Sequence, residues 1–320
     1  MWVPAYAGTK VFLANSRTAN WHGADIATAS VSDTLAAIVS IGFHGLAFAM
    51  VLYLISVGLS VTMGMMGFVN LAHGVFAMLG GYVMTNLMTR FGVPFVPALA
   101  AAAVATGLGS IVLERLLYRR LYGGDELDQV LLTMGLIFMS LAAVTYLWGP
   151  NPQPMHPPRW LSGQTDFGFR SFPTYRAFLI LCGAALVTAL WLGLERTSFG
   201  MRIRAAVDNL RMAQSVGINT SRLFTWTFAL GSGLAGLGGG LGADLLAITP
   251  SYALDNLVYF LIVVAVGGLG SIRGPFVAAL LIGIADTGFK YLLPELGAFF
   301  IYALTMAILL WRPRGLFGRA

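Results

Sequence analysis

The sequence predicts an all-α polytopic membrane protein of about nine transmembrane helices, within a range of eight to ten. These helices form two related halves, and some of them are discontinuous. Of its 320 residues, 58% are hydrophobic and 10% are charged, whereas about a quarter of the residues in a soluble domain are charged. Apolar runs recur from Leu35 onward, and about 20 such residues cross the hydrocarbon core of a bilayer. Glycine-rich polar breaks near residues 67–74 and 267–274 interrupt these runs.

The spans follow from the apolar runs and from the charged, proline or glycine residues that end them. They cover residues 74–90, 96–116, 129–149, 175–195, 223–245, 255–272, 275–292 and 297–311. As a single helix, Leu35 to Val69 would be about 52 Å long, which exceeds one upright span and falls short of two. We therefore predict one tilted span that breaks near Gly64 or Gly67. It follows an external N-terminal segment (residues 1–33) and opens a membrane domain (residues 34–320).

The positive charges predict the orientation of the spans. The loops on one side hold twelve arginines, at positions 115, 119, 120, 196, 202, 204, 211, 222, 273, 312, 314 and 319, and the other side holds Arg90, Arg159, Arg170, Arg176 and Lys290. Because cytoplasmic loops are enriched in Lys and Arg, the twelve face the cytoplasm, the N-terminus lies outside and the C-terminus is cytoplasmic. The net charge of +6 therefore reflects topology and indicates no nucleic-acid partner.

Several kinds of chemistry are absent from the sequence. Its one cysteine, Cys182, excludes an internal disulfide and any cysteine-built metal site. The only lysines, Lys10 and Lys290, do not follow the glycines of a Walker A motif, so ATP would have to be hydrolysed by another chain. No row of embedded carboxylates suggests proton coupling. Asp286 and Lys290 are four residues apart, and we expect a local ion pair between them.

The external loop at residues 150–174 is rich in proline, at positions 150, 152, 154, 157, 158 and 173. Proline at this density prevents a regular helix and favours extended, polyproline-like backbone. Two interpretations fit equally well: a docking surface or lid, and a plain connector between two spans.

The segment at residues 196–222, on the arginine-rich side, has a different pattern. From Met201 to Val216 it contains helix formers and no proline, and an Arg204–Asp208 pair is placed four residues apart. Gly217 is a plausible helix stop, and Asn219 or Thr220 can cap the next helix. A short surface helix is predicted here, either engaging a partner protein or resting on lipid headgroups.

Glycines in the span near residues 223–245 are spaced for packing. Gly236 and Gly240 are four residues apart, as are Gly238 and Gly242. This spacing lets a neighbouring helix approach closely, and it does not indicate a phosphate-binding loop.

The two polar breaks resemble one another at an offset of 200 residues. "GFVNLAHGVF" and "GGLGSIRGPF" align Gly67 with Gly267, Gly74 with Gly274 and Phe76 with Phe276. Transporters built from two related halves often bring discontinuous helices together at the substrate path. A helix that begins after Asn70 or His73 would point its positive end at that path. Alternatively, Asn70 caps the helix and His73 hydrogen-bonds a nearby carbonyl, which are purely structural roles.

Three stretches carry a family resemblance. "GFVNLAHGVFAMLGGY", "RAAVDNLRMAQSVGINTSRLFTWTFALGSGLAG" and "AVGGLGSIRGPFVAALLIG", in this order and spacing, resemble the LivH-type permeases of ABC importers for branched-chain amino acids. The resemblance covers about residues 40–318. It implies a bacterial inner-membrane permease that binds no cofactor itself and works with two cytoplasmic ATPases that carry ATP and Mg. It also implies a second permease, identical or LivM-like, and a periplasmic binding protein.

The resemblance also suggests site residues. We expect the translocation path to be lined by Asn70, His73, Gly74, Gly270, Ser271 and Gly274. The segment 200–222 resembles the family's ATPase-engaging cytoplasmic loop, and here we expect coupling to involve Arg204, Asp208, Arg211, Met212 and Gly217.

Some residues depart from the family pattern, and other functions compete. Val75 stands where an acidic or small residue is common, and Pro275 where alanine is common. The first 33 residues have no counterpart. These departures bear on the solute, since related permeases are thought to serve urea, short-chain amides and aromatic acids. The alternatives are a secondary transporter or channel, and an intramembrane serine hydrolase using His73 with Ser232 or Ser271.

Overall fold

A computed structural model describes residues 31–166, 171–271 and 273–318. The helices in this part are α1 Val31–Met66, α2 His73–Phe91, α3 Phe95–Leu116, α4 Glu126–Trp148, α5 Thr174–Arg196, α6 Ser198–Asp208, α7 Leu210–Ser215, α8 Thr220–Leu241, α9 Tyr252–Asp255, α10 Leu257–Gly267, α11 Arg273–Leu292 and α12 Gly297–Trp311. Strands β1 Gln164–Asp166 and β2 Ser171–Pro173 form an antiparallel pair. Residues up to Val39 form one unit and those from Ser40 a second. All packing described below lies in the second unit.

The helices confirm an all-α polytopic membrane protein. Five of those described are long and apolar enough to cross a membrane, namely Thr34–Met66, Phe95–Leu116, Glu126–Trp148, Thr174–Arg196 and Arg273–Leu292. Two shorter apolar pieces, Tyr252–Gly267 and Phe299–Trp311, accompany them. Helices α2 and α8, of 19 and 22 residues, have the length to cross but are less apolar, because glycine and polar residues occupy many of their positions. In the described part of the chain the five spans, the two shorter pieces and these two helices make nine segments, at the positions of the nine crossings predicted from the sequence.

Helix α1 is the centre of the packing. It is buried without interruption from Ala49 to Thr62, as expected of a helix that is apolar on all sides. Its glycines permit close approach by other elements: a Cβ on Gly58 would lie 2.5 Å from the Gly231 carbonyl oxygen of α8, and one on Gly64 would lie 2.1 Å from the Gly270 Cα. These neighbours therefore touch α1 backbone to backbone.

The glycine spacing predicted in α8 serves two different faces. Gly236 lies against Thr106 of α3, and Gly240 against Met84 of α2 and Leu99 of α3. The alternate pair contacts α1, Gly238 at Ile55 and Gly242 at Val51. One helix thus packs tightly on both sides, and the predicted role of these glycines in packing is confirmed.

Two predictions need correction, and a third falls mostly outside the described residues. The predicted helix from Met201 to Val216 is two helices, because Asn209 adopts extended backbone (φ −156°, ψ 101°) and its side chain caps α7 through the Met212 N–H. The predicted span 255–272 ends at Gly267. The predicted external segment 1–33 lies outside the described residues up to position 30, and helix α1 already begins at Val31.

Gly80→Ala should destabilise the protein. A Cβ at position 80 would lie 2.2 Å from the Gly236 carbonyl oxygen, so α2 and α8 would have to separate, and overpacking of this kind costs about 1–3 kcal/mol. Gly109→Ala in α3 is the control, because nothing lies within 4 Å of its Cβ position. Thermal unfolding of the detergent-solubilised protein measures the difference. Equal melting temperatures for the two variants would contradict the packing described.

Candidate functional site

The first helix break covers residues 67–72. Helix α1 ends at Met66 and Gly67 adopts a left-handed conformation (φ +59°), which glycine adopts without steric cost. This is one of the two predicted break positions. Helix α2 then begins at His73, with Ala72 at its N-cap and no side-chain cap. Asn70 therefore does not cap α2, and that interpretation of Asn70 is wrong.

Asn70 and His73 are both buried, with 2% and 1% of their surfaces exposed. The Tyr118 hydroxyl donates to Asn70 Oδ1 at 3.1 Å, and His73 Nε2 lies 2.9 Å from the Ile55 carbonyl oxygen of α1. Because a carbonyl only accepts, Nε2 carries the proton. Asn70 Nδ2 and His73 Nδ1 have no hydrogen-bond partner among the described residues. Buried polar atoms are rarely left unpaired, and in the described residues these two atoms retain unused hydrogen-bonding capacity at the first break.

The backbone of the first break is fixed by Gln129, near the start of α4. The Val69 N–H donates to Gln129 Oε1 at 2.9 Å, and Gln129 Nε2 donates to the carbonyl of Gly124 at 3.2 Å. Sequence reasoning missed this residue as a functional candidate. A buried glutamine at the edge of an apolar span was the available signal.

The second break lies between α10 and α11. Helix α10 ends at Gly267, and Gly268 and Gly270 have φ of +96° and +74°. The Ser271 hydroxyl oxygen accepts from the Gly274 N–H at 2.9 Å, so Ser271 caps α11, which begins at Arg273. Helix α2 begins at His73, 200 residues earlier. The sequence echo thus corresponds to two helix starts at equivalent positions.

Ser60 of α1 attaches the second break to the central helix. The Gly270 N–H donates to the Ser60 carbonyl at 3.0 Å, and the Ser60 hydroxyl donates to the Ser271 carbonyl at 2.9 Å. His73, which begins α2 directly after the first break, contacts the same helix at Ile55, five residues away, or about 7.5 Å along the axis. The second break and the helix start after the first break are therefore both hydrogen-bonded to α1. The sequence could not single out Ser60, because its partner lies 211 positions away.

Residues 312–318 complete the second break. The Leu316 N–H donates to the Val266 carbonyl at 2.7 Å, and the Phe317 N–H donates to the Gly267 carbonyl at 3.2 Å. Carbonyls at a helix C-terminus have no partner within their own helix. This tail supplies partners to two of them.

The 196–222 segment reaches the second break directly. A Cβ on Gly270 would lie 2.9 Å from Val207 Cγ1 of α6. Arg204 donates to the carbonyls of Leu194 and Glu195 at the end of α5, and Arg273, the first residue of α11, forms an ion pair with Glu195. These contacts join helices α5, α6 and α11 at the second break, where α11 begins.

The other predicted coupling residues lie on the surface. Asp208, Arg211, Met212 and Gly217 are all exposed. Gly217 adopts φ +85° after α7, and the Asn219 side chain caps α8 through the Arg222 N–H, so the predicted helix stop and cap are confirmed. Met212 and Val216, four residues apart, are 62% and 70% exposed.

A buried carboxylate joins α3 to the connection that follows it and to α8. Glu114 of α3 is fully buried, and it accepts from the Tyr122 hydroxyl at 2.8 Å and from the Thr225 hydroxyl of α8 at 2.9 Å. Burial, together with the neighbouring Glu114, raises the pKa of the Tyr122 phenol, so this hydroxyl stays protonated and donates at neutral pH. Sequence reasoning did not identify this cluster.

The hydrolase alternative finds no support in the geometry. The Ser232 hydroxyl is unpaired among the described residues, and the Ser271 hydroxyl oxygen accepts from the Gly274 N–H. His73 is directed to the Ile55 carbonyl. The predicted Asp286–Lys290 ion pair is confirmed at 2.7 Å, and the Tyr259 hydroxyl donates to the same carboxylate at 2.9 Å.

A bundle of membrane helices with two polar breaks on one central helix defines the class of polytopic membrane permeases. The family model described as "Branched-chain amino acid transport system / permease component" matches residues 41–309, and the chain belongs to this family. It is a transport subunit of an importer and not an enzyme, and it resides in the inner membrane as a multi-pass protein.

Individual relatives agree with this assignment. The branched-chain amino acid permease BraD of Pseudomonas aeruginosa is 29% identical over 291 residues, covering 86% of this chain and 94% of the relative. The permease LivH of Escherichia coli is 26% identical, covering 87% and 94%. The permease LivM of Escherichia coli is 25% identical, covering 83% of this chain and 68% of the relative. No solved structure matches the chain at a significant level.

Ser60→Ala should slow transport without preventing membrane insertion. The variant loses the hydroxyl that holds the Ser271 carbonyl, and one hydrogen bond contributes about 1 kcal/mol, equivalent to about a fivefold loss of rate. Thr62→Val is the matched control on the same helix, because the Thr62 hydroxyl bonds only to carbonyls of α1 itself. Solute uptake by cells with equal amounts of each variant in the membrane measures the effect. Equal uptake by the two variants would show that Ser60 does not hold the break.

Proposed function

We propose that this permease takes up branched-chain amino acids, or a related small polar solute, with ATP hydrolysed by separate subunits. The observation that carries the proposal is the family match over residues 41–309, together with relatives named for branched-chain amino acid transport. The assembly proposed is one of two cytoplasmic ATPases that bind ATP and Mg, a second permease, identical or LivM-like, and a periplasmic binding protein. A relative named LivM supports a partner permease of the same family.

The proposed translocation path runs beside the two breaks. Asn70, His73 and Gly74 would line it at the first break, and Gly270, Ser271 and Gly274 at the second. Support comes from the unpaired Asn70 Nδ2 and His73 Nδ1 atoms and from the start of α11, whose positive end suits a carboxylate. Irregular backbone at membrane depth is tolerated where it is buried in protein or lines a wet cavity. Binding in such a path should be weak, so that the solute is released.

The proposed coupling route begins at the exposed surface of α7. Met212 and Val216 present apolar area beside Arg211, which suits a protein partner, since exposed apolar patches with a polar rim mark interaction sites. Movement of this segment would reach the second break through Val207 and Gly270. With the arginine-rich side in the cytoplasm, the N-terminus lies outside, and the loop at residues 150–174 faces the binding protein.

The substrate and assembly can be tested together. The chain, expressed with its genomic neighbours in a strain that lacks branched-chain amino acid uptake, should restore accumulation of labelled leucine. A Walker A ATPase should co-purify, and replacing the Walker A lysine of that ATPase should abolish uptake. Leucine uptake that survives this replacement, or ATP-independent uptake by the chain purified alone, would favour a secondary transporter instead.

Two substitutions separate docking from coupling. Met212→Ala should reduce the amount of co-purified ATPase severalfold, because it removes exposed apolar area from the proposed interface. Val207→Ala should leave that amount unchanged and lower the leucine transported per ATP hydrolysed about fivefold, because it removes the contact at Gly270. Each variant is the control for the other. Normal uptake per ATP in Val207→Ala would exclude the proposed route.

A further inference from the structure

A cavity of about 310 Å³ opens where the 196–222 segment meets the second break. It lies between the ends of α1 and α5, helix α6 and the loop that precedes α11. Val61, Trp191 and Phe317 are among its apolar lining residues, and Glu195, Arg204 and Arg273 are its charged ones. The volume is at the lower end of the range for small-molecule sites, which suits a ligand the size of a single amino acid.

We propose that this cavity binds the free zwitterion of an aliphatic amino acid, and that the bound amino acid inhibits further import. The inference rests on the proposed function, because the imported solute is taken to be such an amino acid. The cavity shares Gly270 and Ser271 with the proposed path, and the inference adds the Glu195–Arg273 pair as a binding site and a regulatory role that transport itself does not require.

The charges in the cavity match an α-amino acid. Glu195 and Arg273 form an ion pair, so a negative and a positive group lie side by side, and their side chains are 38% and 64% exposed. An α-amino acid carries its ammonium and carboxylate on one carbon, at a similarly short separation. The ammonium would bind the Glu195 carboxylate, and the carboxylate would bind the Arg273 guanidinium near the positive end of α11.

The remaining lining provides for an aliphatic side chain. Val61, Leu194 and Leu269 line the cavity beside the ion pair. Ser271 also lines it, and the hydroxyl oxygen of Ser271 already accepts from the Gly274 N–H, which leaves its O–H free to donate to a carboxylate. A charged or strongly polar side chain would lose hydration against the apolar wall. The cavity therefore favours leucine-like solutes over acidic or basic ones.

The position of the cavity gives the bound amino acid an effect on transport. Arg204 and Val207 of α6 line one side, and Gly270 and Ser271 of the second break line another. An occupant in contact with both would resist movement of one against the other, and this is the movement on which coupling depends. The cavity lies on the arginine-rich side, which faces the cytoplasm, so it would sense the imported solute after release.

Binding is tested on the purified importer in nanodiscs of phosphatidylglycerol, with labelled leucine and without ATP or binding protein. Saturable binding is expected. Glu195→Gln, Arg273→Gln and the cavity-filling Leu269→Trp should each weaken it at least tenfold. Glu126→Gln and Arg120→Gln are matched charge controls at exposed positions and should change it less than twofold. Isocaproate, which lacks the ammonium, should bind at least tenfold more weakly than leucine.

Inhibition is tested in inside-out vesicles. Leucine added to the cytoplasmic face should lower ATP-driven turnover at least threefold in the unaltered importer, and Leu269→Trp should remove this effect. Phosphatidylethanolamine shares the ammonium, the anionic group and the apolar chain. Retention of that lipid by the importer purified from native membranes, with no leucine binding, would overturn the proposal.

Two further outcomes separate this inference from the proposed function. In the first outcome the unaltered importer takes up leucine, His73→Ala abolishes leucine binding and Glu195→Gln leaves it intact. This result would place the bound leucine in the path and overturn the inference alone. Failure of the unaltered importer to take up leucine at all would overturn the proposed function, and the inference with it.

Discussion

The structure depends on one buried helix, α1, which contacts residues at or just before the start of the helix that follows each of the two breaks. Each break leaves backbone groups without partners in their own helix, and inside a membrane such groups must find partners within the protein. Helix α1 supplies them at the second break, where the Ser60 carbonyl accepts from the Gly270 N–H and the Ser60 hydroxyl donates to the Ser271 carbonyl. At the first break the Val69 N–H donates to Gln129, and α1 contributes the Ile55 carbonyl, which accepts from the His73 side chain. Breaks of this kind are stable only because α1 is itself buried from Ala49 to Thr62.

The same arrangement explains why a permease of this kind needs so much glycine. A side chain at Gly64 would collide with Gly270, and one at Gly274 would lie 2.0 Å from the Gly267 carbonyl oxygen. Backbone atoms must come close for hydrogen bonds to cross between helices, and only glycine permits that distance. Several of the 39 glycines are thus a condition for the polar breaks and not merely a means of tight packing.

Much of the fold could be predicted from the sequence, because its signals are local. The ends of α3, α5 and α12 fall within a residue of their predicted positions, since prolines, glycines and arginines end the apolar runs. Helix α1 does end next to Gly67, one of the two predicted break positions. The site was predicted less well. Ser60 and Gln129 bond to residues far away in the chain, and no local pattern predicts which residues those are. At Asn209, side-chain capping of α7 overrides the helix-forming composition on either side.

The contacts of α1 with α8 and with the second break have a mechanical consequence. Gly58 meets Gly231 and Gly64 meets Gly270 backbone to backbone, without side chains that interlock across these points. Interdigitated side chains resist sliding, whereas smooth backbone surfaces in van der Waals contact resist separation more than they resist sliding. Packed helices often move by small shear displacements of this type. Shear along α1 is therefore the movement that this packing permits at least cost.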